Sequence, residues 1–161
     1  MRKPKIYLDT SVISHLSAPD APDKMNDTLA LWEEIKAGKY NAVLSSVTLR
    51  ELENCDEPKR GTLFDYLRQI QFDTVAVDAQ TIEIAEKFID FGILKQKSFD
   101  DCQHIAAAIV SGCDIIVSWN FKHIVNYRTI QGVKAVTALS GFPEILIYPP
   151  PVLLGGDYSD T

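Results

Sequence analysis

Four short apolar runs, each followed by a stretch with helical spacing, most narrow the folds open to this chain. Ile6-Tyr7-Leu8, Val43-Leu44-Ser45, residues 72–77 and residues 115–118 are hydrophobic without strict alternation. Runs of this kind read as strands buried on both faces, as parallel strands are. Between the first two, Leu29, Trp32 and Ile35 share one helical face over residues 26–37, and Gly38 ends it. Ser46 is expected to cap a helix bearing Val47, Leu49 and Leu52. Pro58 suits the first turn of another, with Leu63, Tyr66, Leu67 and Ile70 at helical spacing. Asp78 is placed to cap a helix carrying Ile82, Ala85, Phe88 and Ile89, and Ser98 opens one carrying Ile105, Ala108 and Ile109. Strands alternating with helices, without long hairpins, predict an α/β fold: three layers, α/β/α, around a central, mainly parallel sheet. Residues 134–136 are expected to form a short fifth strand.

The 161 residues suit one domain with its own core, placed at residues 1–140. Residues 141–161 contain Pro143, Pro149-Pro150-Pro151 and Gly155-Gly156, and read as a Pro/Gly-rich C-terminal tail. Its apolar stretch Ile145-Leu146-Ile147-Tyr148 is expected to pack on the domain or on a second copy. Cys55, Cys102 and Cys113 are odd in number and lack metal-site spacing, as expected of reduced cytosolic thiols. Asp9 interrupts the apolar stretch a signal peptide needs, and no run approaches a membrane span, so a cytoplasmic protein is expected. The net charge of -6 argues against broad binding of nucleic acid through a basic surface. Local basic groups remain at Arg2-Lys3-Lys5, Lys59-Arg60, Lys95-Lys97 and Lys122-His123-Arg128. Each reads as a solvated face or as a phosphate contact, and the last directly follows Asn120.

Asp9, Glu51, Asp101 and Asn120 all fall where a strand gives way to a helix. In a parallel sheet the carboxyl ends of the strands share one rim, where ligands bind. Two bare unit charges roughly 4 Å apart there repel by about 4 kcal/mol at an effective dielectric of 20. A divalent cation removes that cost, and hard oxygen ligands favour Mg²⁺ or Mn²⁺. Removing any one of the acids is then expected to leave metal-free stability unchanged or slightly higher. Each residue also has a purely structural reading. Asp9 can satisfy amides in the turn after its strand, Glu51 can face solvent, and Asp101 can close a capping box with Ser98. Thr10, Ser11 and Ser118 are either donors that orient the carboxylates or turn caps. Asp100 is a further carboxylate, although neighbours on a helix point about 100° apart. His15, His104 and His123 share no ligand spacing, and His104 is expected to pack or cap. Trp119 either stacks on a base or packs at the rim. A phosphoacceptor receiver domain needs an acid pair after its first strand, whereas here Thr10 follows Asp9.

These segments, taken in order, resemble the motifs of the PIN-domain family. Residues 6–13 are similar to its opening strand, residues 45–52 to its second motif, residues 101–108 to its third, and residues 118–124 to its fourth. The resemblance implies a PIN-like fold and a metal-dependent endoribonuclease acting on RNA, often the toxin of a VapC-type toxin–antitoxin pair. It further implies Mg²⁺ or Mn²⁺, an antitoxin partner and a homodimer. Asp9, Glu51 and Asp101 would be the catalytic acids and, with Asn120, the metal ligands. Asn120 stands where many relatives have a fourth acid; its carbonyl oxygen can ligate but adds no charge. The alternative is a catalytically idle PIN scaffold that binds protein or RNA.

Overall fold

The computed structural model describes residues 2–155, so residues 156–161, the end of the expected tail, lie outside the described residues. The chain enters through β1 (Lys5–Leu8), α1 (Thr10–Ser14), a 3-10 turn at His15–Ser17, and α2 (Pro22–Lys36). β2 (Asn41–Ser45) leads into α3 (Ser46–Glu53) and α4 (Lys59–Leu67), and β3 (Phe72–Val75) into α5 (Ala79–Asp90). A second 3-10 turn, Gln96–Ser98, precedes α6 (Phe99–Val110), followed by β4 (Ile115–Val117), α7 (Tyr127–Ser140), β5 (Leu146–Tyr148) and α8 (Pro150–Leu153). The strands lie in the order β3-β2-β1-β4-β5, and every pairing is parallel.

Both faces of the sheet are covered, which is why its inner strands β1, β2 and β4 are largely apolar, whereas the edge strand β3 carries the exposed Asp73 and Thr74. Successive side chains point to opposite faces. Tyr7, Val43, Ile116 and Ile147 pack among Phe88 of α5, Ile105 and Ile109 of α6, and Val133 and Val136 of α7. Ile6, Leu8, Leu44 and Val117 pack on the other side, among Val12 and Ile13 of α1, Trp32 of α2, Leu52 of α3 and Leu63 of α4. The result is the expected three-layer α/β/α sandwich.

Several local expectations shift. α2 begins at Pro22, earlier than the apolar spacing indicated, because proline at the first position needs no amide partner. Ser45, not Ser46, caps α3: its Oγ accepts from the Val47 N–H at 3.2 Å. Asp78 caps α5 as expected, accepting from the Thr81 N–H at 3.0 Å. Residues 134–136 are helical, inside α7, where Val133, Val136 and Thr137 repeat at helical spacing toward the core. The fifth strand lies instead at Leu146–Tyr148, beyond Ser140, with Ile145 and Ile147 buried. β5 is an edge strand, so Pro149 and Pro150 beside it take no hydrogen bond from the ladder.

The side on which strands are added switches at β1. From β1 the chain builds β2 and β3 on one side, then crosses to place β4 and β5 on the other. The switch point therefore lies at the carboxyl ends of β1 and β4, the place where open α/β sheets bind ligands in a crevice.

Candidate active site

Asp9 occupies the switch point because β1 ends there and α1 begins. Its backbone is extended, and its Oδ1 caps α1 by accepting from the Val12 N–H at 3.2 Å. The expected capping role is therefore real, but it uses one oxygen. Ser11 donates to the same oxygen at 2.6 Å, and Ser118, just past β4, donates to Oδ2 at 2.5 Å. The Ser118 bond ties the two strands that flank the switch point. Ser11 Oγ in turn accepts from the Trp119 N–H at 2.9 Å, and Ser118 Oγ from the Asn120 N–H at 2.9 Å. Asp9 is only 3% exposed. Burial pushes its carboxyl above the ordinary range, against the lowering influence of His104 and of the Ser11, Ser118 and Val12 donors.

Asp101 sits in the first turn of α6, on the same rim. Ser98 makes no capping bond, since the chain enters α6 through the 3-10 turn instead of an extended residue. The expected capping box is absent, and both Asp101 oxygens turn to the β4 side. Oδ1 accepts from the Asn120 amide at 3.2 Å, and Oδ2 lies 2.9 Å from His123 Nδ1. Burial raises the Asp101 carboxyl above its ordinary range; His123 and His104 oppose the rise and the charge of Asp9 adds to it. Asn120 is fixed by its own loop, for its Oδ1 accepts from the His123 N–H at 2.9 Å. It therefore offers Asp101 a donor, with its carbonyl already engaged.

Glu51, in the second turn of α3, is one-third exposed, yet one of its oxygens is engaged within the protein. Its Oε1 accepts from Thr10 Oγ1 at 2.8 Å and lies 2.6 Å from His104 Nε2. His104 is buried on α6, with Nδ1 2.6 Å from the Tyr7 hydroxyl, which lies 2.7 Å from Ser45 Oγ. One arrangement of donors satisfies this chain: His104 Nε2–H donates to Glu51, and the Tyr7 O–H donates to Nδ1. Burial alone would raise Glu51, but the His104 contact, Thr10 and Arg50 together hold it below the ordinary range.

Asp100 turns away. It is exposed, pairs with Arg50 at 2.9 Å and accepts from Gln103 at 3.3 Å, as the divergence of helical neighbours requires. Trp119 packs at the rim, 7% exposed, and donates to Thr28 Oγ1 at 2.8 Å. A cleft of about 530 Å³ lies at the opposite, amino-terminal rim beside Asn41 and Phe72, away from every candidate residue.

The PIN domain family model matches residues 6–122, from β1 through the loop that holds Asn120. This chain belongs to the PIN-domain family. The VapBC2 structure from Rickettsia felis, bound to a DNA fragment from its promoter, is similar to this PIN domain at a TM-score of 0.54 and 15% identity, over 90% of this chain and 98% of that one. Mycobacterium tuberculosis VapC20, described as a sarcin–ricin loop cleaving toxin, is similar at a TM-score of 0.57 and 19% identity, over 87% of this chain and 98% of that one. At such identities the likeness speaks for the fold alone. No curated protein matches the sequence. Among the described residues, no helix of this PIN domain is long and apolar enough to cross a membrane.

The chemistry of the donor set fits a hard divalent cation: desolvated carboxylates on one rim, both held above their ordinary range. Among the described residues, no three acids, histidines or cysteines are gathered around a single point. His104 and His123 instead hold Glu51 and Asp101. These two histidines are the contacts that sequence reading missed. Their only sequence signals are local: His104 follows Asp101 by one helical turn, and His123 follows Asn120 by three residues in the loop after β4.

Proposed function

We propose that this PIN domain is a metal-dependent endoribonuclease hydrolysing RNA phosphodiester bonds, and that it acts as the toxin of a toxin–antitoxin pair. One observation carries the reading. Asp9 ends β1 at the switch point and Asp101 stands in the first turn of α6, near enough that the charge of Asp9 helps to raise Asp101, and burial raises both above the ordinary carboxylate range. Two such charges call for a cation, and oxygen donors favour Mg²⁺ or Mn²⁺. Asp9 and Asp101 would hold it, with Glu51 binding directly or through water and Asn120 completing the rim. When bound, the ion polarises the scissile phosphate and lowers the pKa of a bound water.

The protein's own residues supply orientation. Ser11 and Ser118 fix Asp9, Thr10 and His104 fix Glu51, and Asn120 and His123 fix Asp101. Such partners of a metal-binding group set its direction and basicity. RNA as substrate is supported by family membership and by the similarity to VapC20. An antitoxin partner is supported by the similarity to VapBC2. A homodimer working in the cytoplasm completes the proposal.

Water is the nucleophile in this scheme, so the 2′-hydroxyl is not consumed. Incubation of the full chain with total RNA in Mn²⁺ or Mg²⁺ is expected to give defined cuts without 2′,3′-cyclic phosphate ends. EDTA should stop the reaction. Cyclic phosphate products, or cutting indifferent to EDTA, would contradict the proposal. RNA binding without any cleavage would favour the idle scaffold, a reading that the Asn120 amide donating to Asp101 also supports.

A further inference from the structure

We infer that a basic cleft beside Asp101 seats backbone phosphates of the substrate strand, next to the bond to be cut. The inference deepens the ribonuclease reading and rests on it. The cleft has a volume of about 260 Å³ and lies between the α5–α6 connection and the start of α7. Lys95, Lys97, Lys122 and Arg128 line it together with His123, and no Asp or Glu does. That concentration of positive charge stands out in a chain of net charge -6.

Two features separate it from an ordinary solvated face. Among the described residues, none of these four cations pairs with a carboxylate, whereas Arg2, Arg50, Arg60 and Arg68 each do. His123 is also a shared wall: it lines the cleft and places Nδ1 2.9 Å from Asp101 Oδ2. An anion in the cleft is thus one residue's width from the acidic pair. A polyanion with regularly spaced phosphates can fill the cleft and still present its next phosphate to Asp9 and Asp101. An isolated anion has no reason to approach two carboxylates.

The cleft is held in shape. Arg128 donates to the Gly92 carbonyl at 2.5 Å, and Ile93 packs so closely on α7 that a Cβ at Gly132 would meet it at 2.6 Å. Because the subsite reads phosphate, it contributes affinity without base preference.

The test measures binding apart from cleavage. A labelled single-stranded oligoribonucleotide is titrated with the full chain in EDTA across a range of salt, by fluorescence anisotropy. Lys95→Ala/Lys97→Ala and, separately, Lys122→Ala should weaken binding alike for different sequences. Each lost phosphate contact should also reduce the slope of log affinity against log salt by about 0.7. Lys36→Ala/Lys39→Ala, on the opposite rim, should match wild type in both. Unchanged affinity and slope in both cleft variants, or no binding by wild type, would overturn the inference. Cleft-dependent binding by a chain that never cuts RNA in Mn²⁺ would leave the inference standing and remove the nuclease reading. Cutting by wild type, with binding unaffected in the cleft variants, would do the reverse.

Discussion

Asp101 and Glu51 share one rim and one charge, yet the fold shifts their titration in opposite directions. Asp101 is raised by burial, so the folded state favours its protonated form. Its contribution to stability falls as pH rises from the ordinary carboxylate range through the raised value. Glu51 is lowered, so its contribution is present above the ordinary range and is lost as pH falls through the lowered value. Metal-free Asp101→Asn should therefore melt at or above the wild-type temperature at neutral pH. The new amide can still accept from Asn120 and donate to His123. Glu51→Gln should melt lower, because it leaves His104 facing an uncharged group; thermal melts from pH 4 to 8 check both. That separation revises the expectation of relief on removing any acid. Asn120→Asp places a carboxylate against Asp101. It should tighten Mn²⁺ binding by calorimetry while lowering metal-free stability at neutral pH. Ser118→Ala removes the donor that fixes Asp9 Oδ2, and should cost about 10–100-fold in Mn²⁺ affinity or activity. At this scale the positions of the acids were legible, because Asp9 closes an apolar run and Glu51 and Asp101 stand in the opening turns of helices. Their histidine partners were not, since Glu51 and His104 meet only when α3 and α6 pack side by side.

At the scale of elements, α7 and β5 show where local pattern stops being sufficient. Lys134-Ala135-Val136 is short and apolar enough to pass for a strand, but it lies between Val133 and Thr137 on one buried helical face, and Gly141 ends the helix at a φ of 78°. Leu146-Ile147-Tyr148 passes for a tail because prolines follow it, although its pairing with β4 is parallel and its Ile147 is 6% exposed. Ile147→Ala should cost about 2–5 kcal/mol in chemical denaturation, as expected of a buried aliphatic side chain. Little or no loss would mean that β5 contributes little to the core. Gly132→Ala tests the packing of α7 on the α5–α6 connection. The added methyl would meet three Ile93 atoms at 2.6 to 2.8 Å. Overpacking of this kind typically costs roughly 1–3 kcal/mol, and here it should also disturb the basic cleft that Ile93 lines.

At the scale of the whole molecule, alternating strands and helices predicted the layers but not the strand order. The order β3-β2-β1-β4-β5 depends on which side of β1 the second half of the chain returns to, a choice made by packing on both faces. That choice brings Ser118 against Asp9, more than a hundred positions away, and with it Asn120, which donates to Ser118 and Asp101. The proposed chemistry is hydrolysis of RNA with a divalent cation held at that rim. The most direct measurement is single-turnover cleavage of one mapped RNA site by wild type, Asp9→Asn and Asp101→Asn, at increasing Mn²⁺ concentrations. Wild type should show saturable, Mn²⁺-dependent cleavage, with most activity lost in each variant although circular dichroism shows both folded. Full cleavage by the two variants would contradict it.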